Sequence, residues 1–323
     1  MESIARIVCP VDLSQGSRSA VAYAATLARL HHAELHLLHV SGGGEPKSPG
    51  GAECGRSVGL GVIVAAALWG PKGADPNDEI PLRLATGRGR PVRAIAAYAR
   101  RSAADLIVVG AQYGATRSRV PGSPVPAALG RSAPCPVLVV AQPVHTLPAP
   151  IRMPFADVLC AVDFTRASQA ALHVAVGLVQ RGRGRLTLVH VAEGWLDRMI
   201  FSASGALRQL RAYQDRAGAD EQRLRELVPA RALEPSRVDA LVVSGSPHEA
   251  ILRAASEAGA ALIVMGVTPR SAGSTARAVL RRATCPVLLV PVPATVARVE
   301  TPASSDGTRI ELTPSPVAHQ ERA

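Results

Sequence analysis

Short apolar runs alternate with alanine-rich amphipathic segments along most of the chain. In the first half, the runs rich in β-branched residues occupy residues 4–11, 34–40, 106–110 and 137–140. Segments with helical periodicity occupy residues 17–30 and 91–101. Strands that alternate with helices predict βαβ units, and near-continuous apolar strands such as 106–109 and 262–265 favour a parallel sheet covered on both faces. The pattern predicts an α/β, doubly wound, parallel-sheet fold.

The pattern occurs twice. Residues 7–12 (IVCPVD) match 158–163 (VLCAVD) at an offset of 151, residues 105–110 (DLIVVG) match 261–266 (ALIVMG) at 156, and residues 134–140 (PCPVLVV) match 284–290 (TCPVLLV) at 150. The changes in offset mean that the second copy gained about five residues in its middle and lost about six after Gly266. Internal similarity of this kind predicts two tandem domains of one fold.

The domain boundaries follow from the repeat and from proline content. We expect a first domain at 1–141, a linker at 142–154, a second domain at 155–292 and a disordered tail at 293–323. The first copy is rich in Gly, Pro and Ser over residues 41–78, where the second copy offers a helical stretch at 206–227.

Composition excludes several classes of protein. The net charge of +11 comes from 36 basic and 25 acidic residues, but the basic residues are scattered and aromatic residues are 3% of the chain, so no specific nucleic-acid binding is predicted. The most apolar run, residues 58–69, is shorter than the roughly 20 residues of a membrane-spanning helix. The five cysteines show neither CxxC nor metal-ligand spacing, which predicts a cytoplasmic protein. Four of them are repeat-related pairs on or beside predicted strands and are expected to be inert core thiols.

Six residues at predicted strand ends converge at the carboxyl edge of a doubly wound sheet, where ligands bind in such folds. They are Asp12, Val40 and Gly110 in the first copy and Asp163, Val191 and Gly266 in the second. Each Asp precedes a helix, so its carboxylate either accepts local N–H bonds or grips a ligand amino group. Ser14 and Thr165 stand where helix N-caps are expected.

These features together resemble the universal stress protein family over nearly all of residues 3–140 and 155–291. The resemblance implies Rossmann-like domains of the adenine-nucleotide alpha-hydrolase-like type. It also implies an Asp and second-strand backbone groups that hold adenine and ribose, and a G-x2-G-x9-G-[ST] loop that holds the phosphates of ATP or another adenine nucleotide, with Mg²⁺ accompanying it. Members usually dimerise through the last strand, so the copies are expected to pair internally, and a homodimer is a further possibility.

Both phosphate loops depart from the family pattern. The first copy reads Gly110-x3-Gly114-x7-Gly122-Ser123, with prolines beside the Gly-Ser pair. The second copy keeps Gly273-Ser274-Thr275, but six residues separate Gly266 from Gly273 where the family motif places twelve. Glycines allow the backbone to approach phosphate closely, and each proline removes an N–H donor.

Catalytic chemistry is not predicted. His39 and His190 lie one residue before the end of the second strand of each copy, without an evident metal or nucleophile partner, and are interpreted as structural. Nucleophile, zinc-binding and P-loop motifs are missing from the sequence. The leading hypothesis is a cytoplasmic stress-response protein with an adenine nucleotide as regulatory ligand, the alternative is a non-nucleotide interaction and dimerisation module, and an enzyme ranks last.

Overall fold

A computed structural model describes residues 4–12, 15–41, 80–111, 124–140, 156–182, 184–192, 203–268 and 274–292. The strands are β1 (Arg6–Val11), β2 (Glu34–Ser41), β3 (Leu82–Arg88), β4 (Leu106–Gly110), β5 (Val137–Val140), β6 (Asp157–Ala161), β7 (Arg185–Ala192), β8 (Val238–Ser244), β9 (Leu262–Val267) and β10 (Val287–Pro291). The helices are α1 (Gln15–His31), α2 (Pro91–Arg101), α3 (Pro124–Ser132), α4 (Arg166–Gly182), α5 (Ala203–Glu226), α6 (Pro247–Glu257) and α7 (Ser274–Arg282).

The ten strands form one sheet in the order β3-β2-β1-β4-β5-β10-β9-β6-β7-β8. Within each repeat every pairing is parallel, as β1 with β2 and β6 with β7 show. In each repeat the chain order reverses beside the first strand, which is the switch point of a doubly wound sheet. The predicted α/β class and the tandem arrangement are confirmed.

Helices cover both faces of the sheet because its strands are apolar on both sides. One core contains buried side chains of α1, α4 and α5 packed on residues such as Cys9, Leu35, Cys160 and Leu188. The other core contains side chains of α2, α3, α6 and α7 packed on the alternate strand positions. Alternation along each strand thus divides its side chains between two helical layers.

The two repeats are joined through their last strands. β10 pairs with β5 in antiparallel orientation, with Leu288 opposite Leu138, which is the internal pairing expected from the sequence. Gly130 of α3 lies against this junction, because a Cβ placed there would be 2.5 Å from Cδ1 of Leu289. The second repeat has Leu280 at the matching position of α7.

The central elements match the sequence pattern closely, and the edges of the sheet do not. The bounds of α2, β4 and β5 agree with prediction, and α5 fills the helical stretch expected in the second copy. β3 is missed by the pattern because it is an edge strand in which Leu82 and Leu84 are exposed. An edge strand with polar residues between its apolar ones lacks the continuous apolar run of a buried strand.

Several expectations fall on residues that the structure does not describe. These are the linker at 142–154, the tail at 293–323 and most of the Gly/Pro-rich segment at 41–78. The prediction of inert thiols rests on described residues. Cys9, Cys135 and Cys160 are buried and unpaired, and burial raises the pKa of the Cys135 and Cys160 thiols to about 12.

Candidate functional site

A cavity of about 200 Å³ lies at the carboxyl ends of the second-repeat strands. Its floor is formed by the ends of β6, β7 and β9, and its rim by the first turns of α6 and α7. The lining consists of Ala161, Val162, Asp163, Ser168, Val189, Val191, Pro247, Ile251, Met265, Gly266, Val267, Thr275 and Ala276. The lining combines apolar side chains with the polar groups of Asp163, Ser168 and Thr275, and a concave site of this kind can hold a small molecule.

Four residues predicted from the second repeat line this cavity: Asp163, Val191, Gly266 and Thr275. Ser274 is the first residue of α7; its side chain is exposed and is not part of the lining. Gly273 lies outside the described residues. Residues that are far apart in sequence therefore meet at the carboxyl edge of the sheet, where ligands bind in doubly wound folds.

In the first repeat, Asp12, Val40 and Gly110 occupy the matching positions at the ends of β1, β2 and β4. Gly114, Gly122 and Ser123 lie outside the described residues, as does the predicted cap Ser14. The structure thus describes the base-binding part of the expected first site and leaves its phosphate loop a prediction.

The Asp163 carboxylate is hydrogen-bonded to Thr165, the residue that precedes α4. Its Oδ1 accepts hydrogen bonds from the backbone N–H and the hydroxyl of Thr165, at 3.0 and 2.6 Å. Partial burial pushes the pKa of the Asp163 carboxyl upward, but hydrogen bonds from Thr165 and Ser168 outweigh it, so the pKa lies below its ordinary value. Asp163 is therefore ionised at neutral pH.

Thr165 is the N-cap of α4, because its Oγ1 accepts a hydrogen bond from the backbone N–H of Ser168 at 3.3 Å. The predicted capping role of Thr165 is confirmed. A similar Asp–Ser contact recurs in the first repeat, where the hydroxyl of Ser17 donates to Oδ1 of Asp12 at 2.6 Å. Both Asp side chains therefore accept hydrogen bonds from the start of the following helix. Asp163 also lines the cavity, so its local bonds do not remove it from the candidate site, and a ligand-binding role stays a prediction.

Gly110 and Gly266 have a packing role that does not depend on any ligand. A Cβ on Gly110 would lie 2.5 Å from the carbonyl oxygen of Gly16 in α1. A Cβ on Gly266 would overlap the carbonyl of Ala167 in α4. In each repeat the first helix thus contacts the end of the fourth strand backbone to backbone, and only glycine leaves room for it.

His39 and His190 make the same bond in the two repeats. Nδ1 of His39 donates to the carbonyl oxygen of Val11 at 3.0 Å, and Nδ1 of His190 donates to that of Val162 at 2.8 Å. Each ring ties the end of the second strand of its repeat to the residue before the aspartate. This bond supports the structural interpretation of both histidines.

A three-residue stack on the opposite face of the sheet holds the segment that carries Asp163. The guanidinium of Arg223 in α5 lies 4.0 Å from the centre of the Phe164 ring, and the Phe164 and His190 rings are 4.7 Å apart. Phe164 has a φ of 61°, a left-handed conformation that costs a non-glycine residue about 1–3 kcal/mol.

Sequence reasoning did not assign the stack or the part of the lining that comes from α4 and α6, namely Ser168, Pro247 and Ile251. One signal for the α6 part was available. A Gly-x-Pro turn occurs once in each repeat, as Gly89-Arg90-Pro91 and as Gly245-Ser246-Pro247. Its glycine adopts a positive φ in both, 107° at Gly89 and 115° at Gly245. This turn starts the helix that borders the cavity. The Phe164 stack has no comparable sequence signature.

Two negative findings apply to the described residues. They contain no cluster of three or more His, Cys, Asp or Glu side chains arranged to hold a metal ion. Among the helices that the structure describes, none combines the length and the apolar character needed to cross a membrane.

Comparison with known proteins agrees with this geometry. The sequence model described as "Universal stress protein family" matches twice, at residues 3–141 and 154–291. A Thermus aquaticus protein described as "Universal stress protein in QAH/OAS sulfhydrylase 3'region" is 36% identical over 145 residues, which is 42% of this chain and 98% of that protein.

Solved structures share the whole tandem fold. A universal stress protein from Archaeoglobus fulgidus superposes with a TM-score of 0.63 at 20% identity, covering 91% of this chain and 98% of that one. A putative universal stress protein from Pseudomonas aeruginosa superposes with a TM-score of 0.54 at 17% identity, covering 90% and 94%. At these identities the likeness establishes the fold. With both halves of the sequence matched by the family model, the chain belongs to the universal stress protein family.

Proposed function

We propose that this chain is a cytoplasmic stress-response protein that binds ATP or another adenine nucleotide as a regulatory ligand, with little or no catalysis. The cavity of the second repeat carries this proposal. It joins an ionised carboxylate, an apolar floor and the first turn of a helix at the switch point of a doubly wound sheet.

Each part of the cavity suits one part of a nucleotide. Val189, Val191 and Met265 offer apolar surface to the flat face of a base. The Asp163 carboxylate has acceptor capacity for further hydrogen bonds from amino or hydroxyl groups. Thr275 in the first turn of α7 adds a hydroxyl beside backbone N–H groups that favour an anion. We expect Asp12, Val40 and Gly110 to serve a second nucleotide site with Gly114, Gly122 and Ser123.

Regulation without turnover is supported by the side chains of the cavity. Among the described residues that line it, Asp163 is the single carboxylate and none is His, Cys or Lys. General-base and nucleophilic catalysis need such a group beside a partner. Any Mg²⁺ would therefore arrive with the nucleotide phosphates, since the described residues provide no metal-ion cluster.

The direct test is to denature the purified full chain, separate the supernatant by anion exchange and measure adenine nucleotide against protein. We expect a near-stoichiometric amount, or saturable binding by calorimetry if nucleotide is lost during purification. Asp163→Ala should weaken binding by about 10-fold or more, and Cys135→Ala, a buried change outside the cavity, should leave it unchanged. No bound nucleotide and no calorimetric signal would rule the proposal out.

A second function, an interaction and dimerisation module without nucleotide, is favoured by the local bonds of the aspartates. Asp163 bonds to Thr165 and Asp12 bonds to Ser17, so each carboxylate has a structural role without a ligand. The glycines at the strand ends are likewise needed for packing. Light scattering after size exclusion would show whether two chains associate, and a dimer unaffected by nucleotide would favour this function.

A further inference from the structure

The cavity of the second repeat is small for a nucleoside triphosphate. Its volume of about 200 Å³ is below the roughly 300–1,000 Å³ of typical small-molecule pockets. Ile251 and Ala276 close it from the side of α6 and α7. This space suits a base and sugar and leaves a phosphate chain beyond the rim.

The charge of the described part of the lining also opposes a phosphate chain. Asp163 is ionised, and none of the described lining residues is Lys, Arg or His. Every added phosphate brings further negative charge to a site that already carries a carboxylate. A nucleoside or a monophosphate meets less repulsion than a triphosphate does.

The spacing of the elements limits the backbone donors at this site. Six residues, 268–273, connect the end of β9 to the start of α7, whereas thirteen residues, 111–123, connect β4 to α3. Phosphates in such folds are held by backbone N–H groups of the connecting loop and of the helix that follows it. The shorter connection offers fewer donors, so the first turn of α7, which contains Thr275, is left to hold a single phosphate.

We infer that the cavity of the second repeat selects an adenine nucleoside carrying at most one phosphate, adenosine or AMP, over ATP. The inference rests on the proposed nucleotide function and specifies its ligand. It also assigns different ligands to the two repeats, because the longer connection between β4 and α3 belongs to the first repeat only.

Met265 provides a site-specific probe. It lines the cavity, is buried, and is one of four methionines in the chain. The full chain labelled with ¹³C at the methionine methyl groups would be titrated with adenosine, AMP, ADP and ATP, the latter two with and without Mg²⁺. Absence of a signal from the Met265→Leu variant assigns the Met265 resonance. We expect this resonance to shift at concentrations of AMP at least 10-fold lower than those of ATP.

The Asp163→Asn variant tests whether the negative charge of Asp163 disfavours additional phosphates. Removing the carboxylate charge should weaken AMP binding and reduce the preference for AMP over ATP several-fold. The matched variant Glu257→Gln removes a carboxylate charge at an exposed position of α6 outside the cavity lining, and it should leave the Met265 titration unchanged.

The outcomes separate the inference from the proposed function. A Met265 resonance that responds to ATP at the same concentration as AMP, or at a lower one, would overturn the selectivity and leave nucleotide binding intact. A resonance that responds to none of the four compounds would overturn nucleotide binding at this cavity, and the selectivity with it.

Discussion

Gly266, near the end of β9, lies directly against the backbone of Ala167 in the first turn of α4, so that a single added carbon would overlap the Ala167 carbonyl. Gly110 and Gly16 repeat this contact in the other half of the chain. The contact sets how closely the first helix approaches the sheet, and it thereby places the Asp residue that precedes that helix.

Gly266→Ala should lower the free energy of unfolding by about 3 kcal/mol, because neither backbone segment can move without disturbing the core. Urea denaturation followed by circular dichroism measures the change. The matched control is Gly218→Ala in the exposed part of α5, where an added Cβ meets nothing within 4 Å. The free energy of unfolding of that variant should rise by about 0.5–1 kcal/mol, because alanine has a higher helix propensity than glycine. Equal effects in the two variants would contradict the packing role of Gly266.

Asp163 should make stability depend on pH in the acid range. Its pKa lies below the ordinary value in the folded state, so the unfolded chain binds the proton more tightly. This contribution is fully present above about pH 4, the ordinary pKa of aspartate, and is lost as the pH falls through the lower folded-state pKa.

The Thr165→Val variant removes the hydroxyl that donates to Asp163 at 2.6 Å. Urea unfolding of this variant at several values between about pH 6 and pH 3 should show a shallower dependence on pH than the wild type. Thr165→Ser keeps a hydroxyl and should preserve the wild-type slope. A wild-type advantage over Thr165→Val that stays constant down to the lowest pH would mean that only the capping bond to Ser168 was lost.

The stack of Arg223 on Phe164 should appear as a coupling energy. A double-mutant cycle with Arg223→Met and Phe164→Leu removes the cation and the ring separately. Because the Arg223 guanidinium lies 4.0 Å from the ring centre, we expect a coupling of about 0.5–1 kcal/mol in urea denaturation. The leucine matches Leu13, the residue at this position of the first repeat. Purely additive losses would show that Arg223 covers Phe164 without attracting it.

The sequence predicts what depends on local pattern and on the repeat. The offset of 151 residues pairs His39 with His190, and their equivalent bonds to Val11 and Val162 follow once both copies fold alike. Because the carboxyl ends of parallel strands lie at one edge of the sheet, Asp163, Val191, Gly266 and Thr275 likewise meet at one cavity. These features depend on topology, which apolar periodicity encodes.

What the sequence does not predict depends on side-chain packing between distant elements. Arg223 reaches Phe164 from a helix that begins 39 residues later, and no spacing rule joins them. The volume of the cavity depends on how Ile251 and Ala276 close it, which follows from the tilt of two helices. The edge strand β3 is not predicted for a related reason, because its exposed leucines do not form the continuous apolar run of a buried strand.

The two repeats should unfold as one cooperative unit. Both apolar cores contain residues of both repeats, and Leu138 and Leu288 meet at the centre of the antiparallel junction. A continuous core makes partial unfolding costly, so calorimetry should show a single transition with equal calorimetric and van't Hoff enthalpies.

Leu138→Ala should lower the stability of both repeats by about 2–5 kcal/mol. Hydrogen exchange in β1 and in β6 should therefore accelerate together. Leu30→Ala, at an exposed position of α1, should change stability by less than about 0.5 kcal/mol. Two separate transitions, or acceleration confined to β1, would show that the repeats are independent domains that share only a strand pairing.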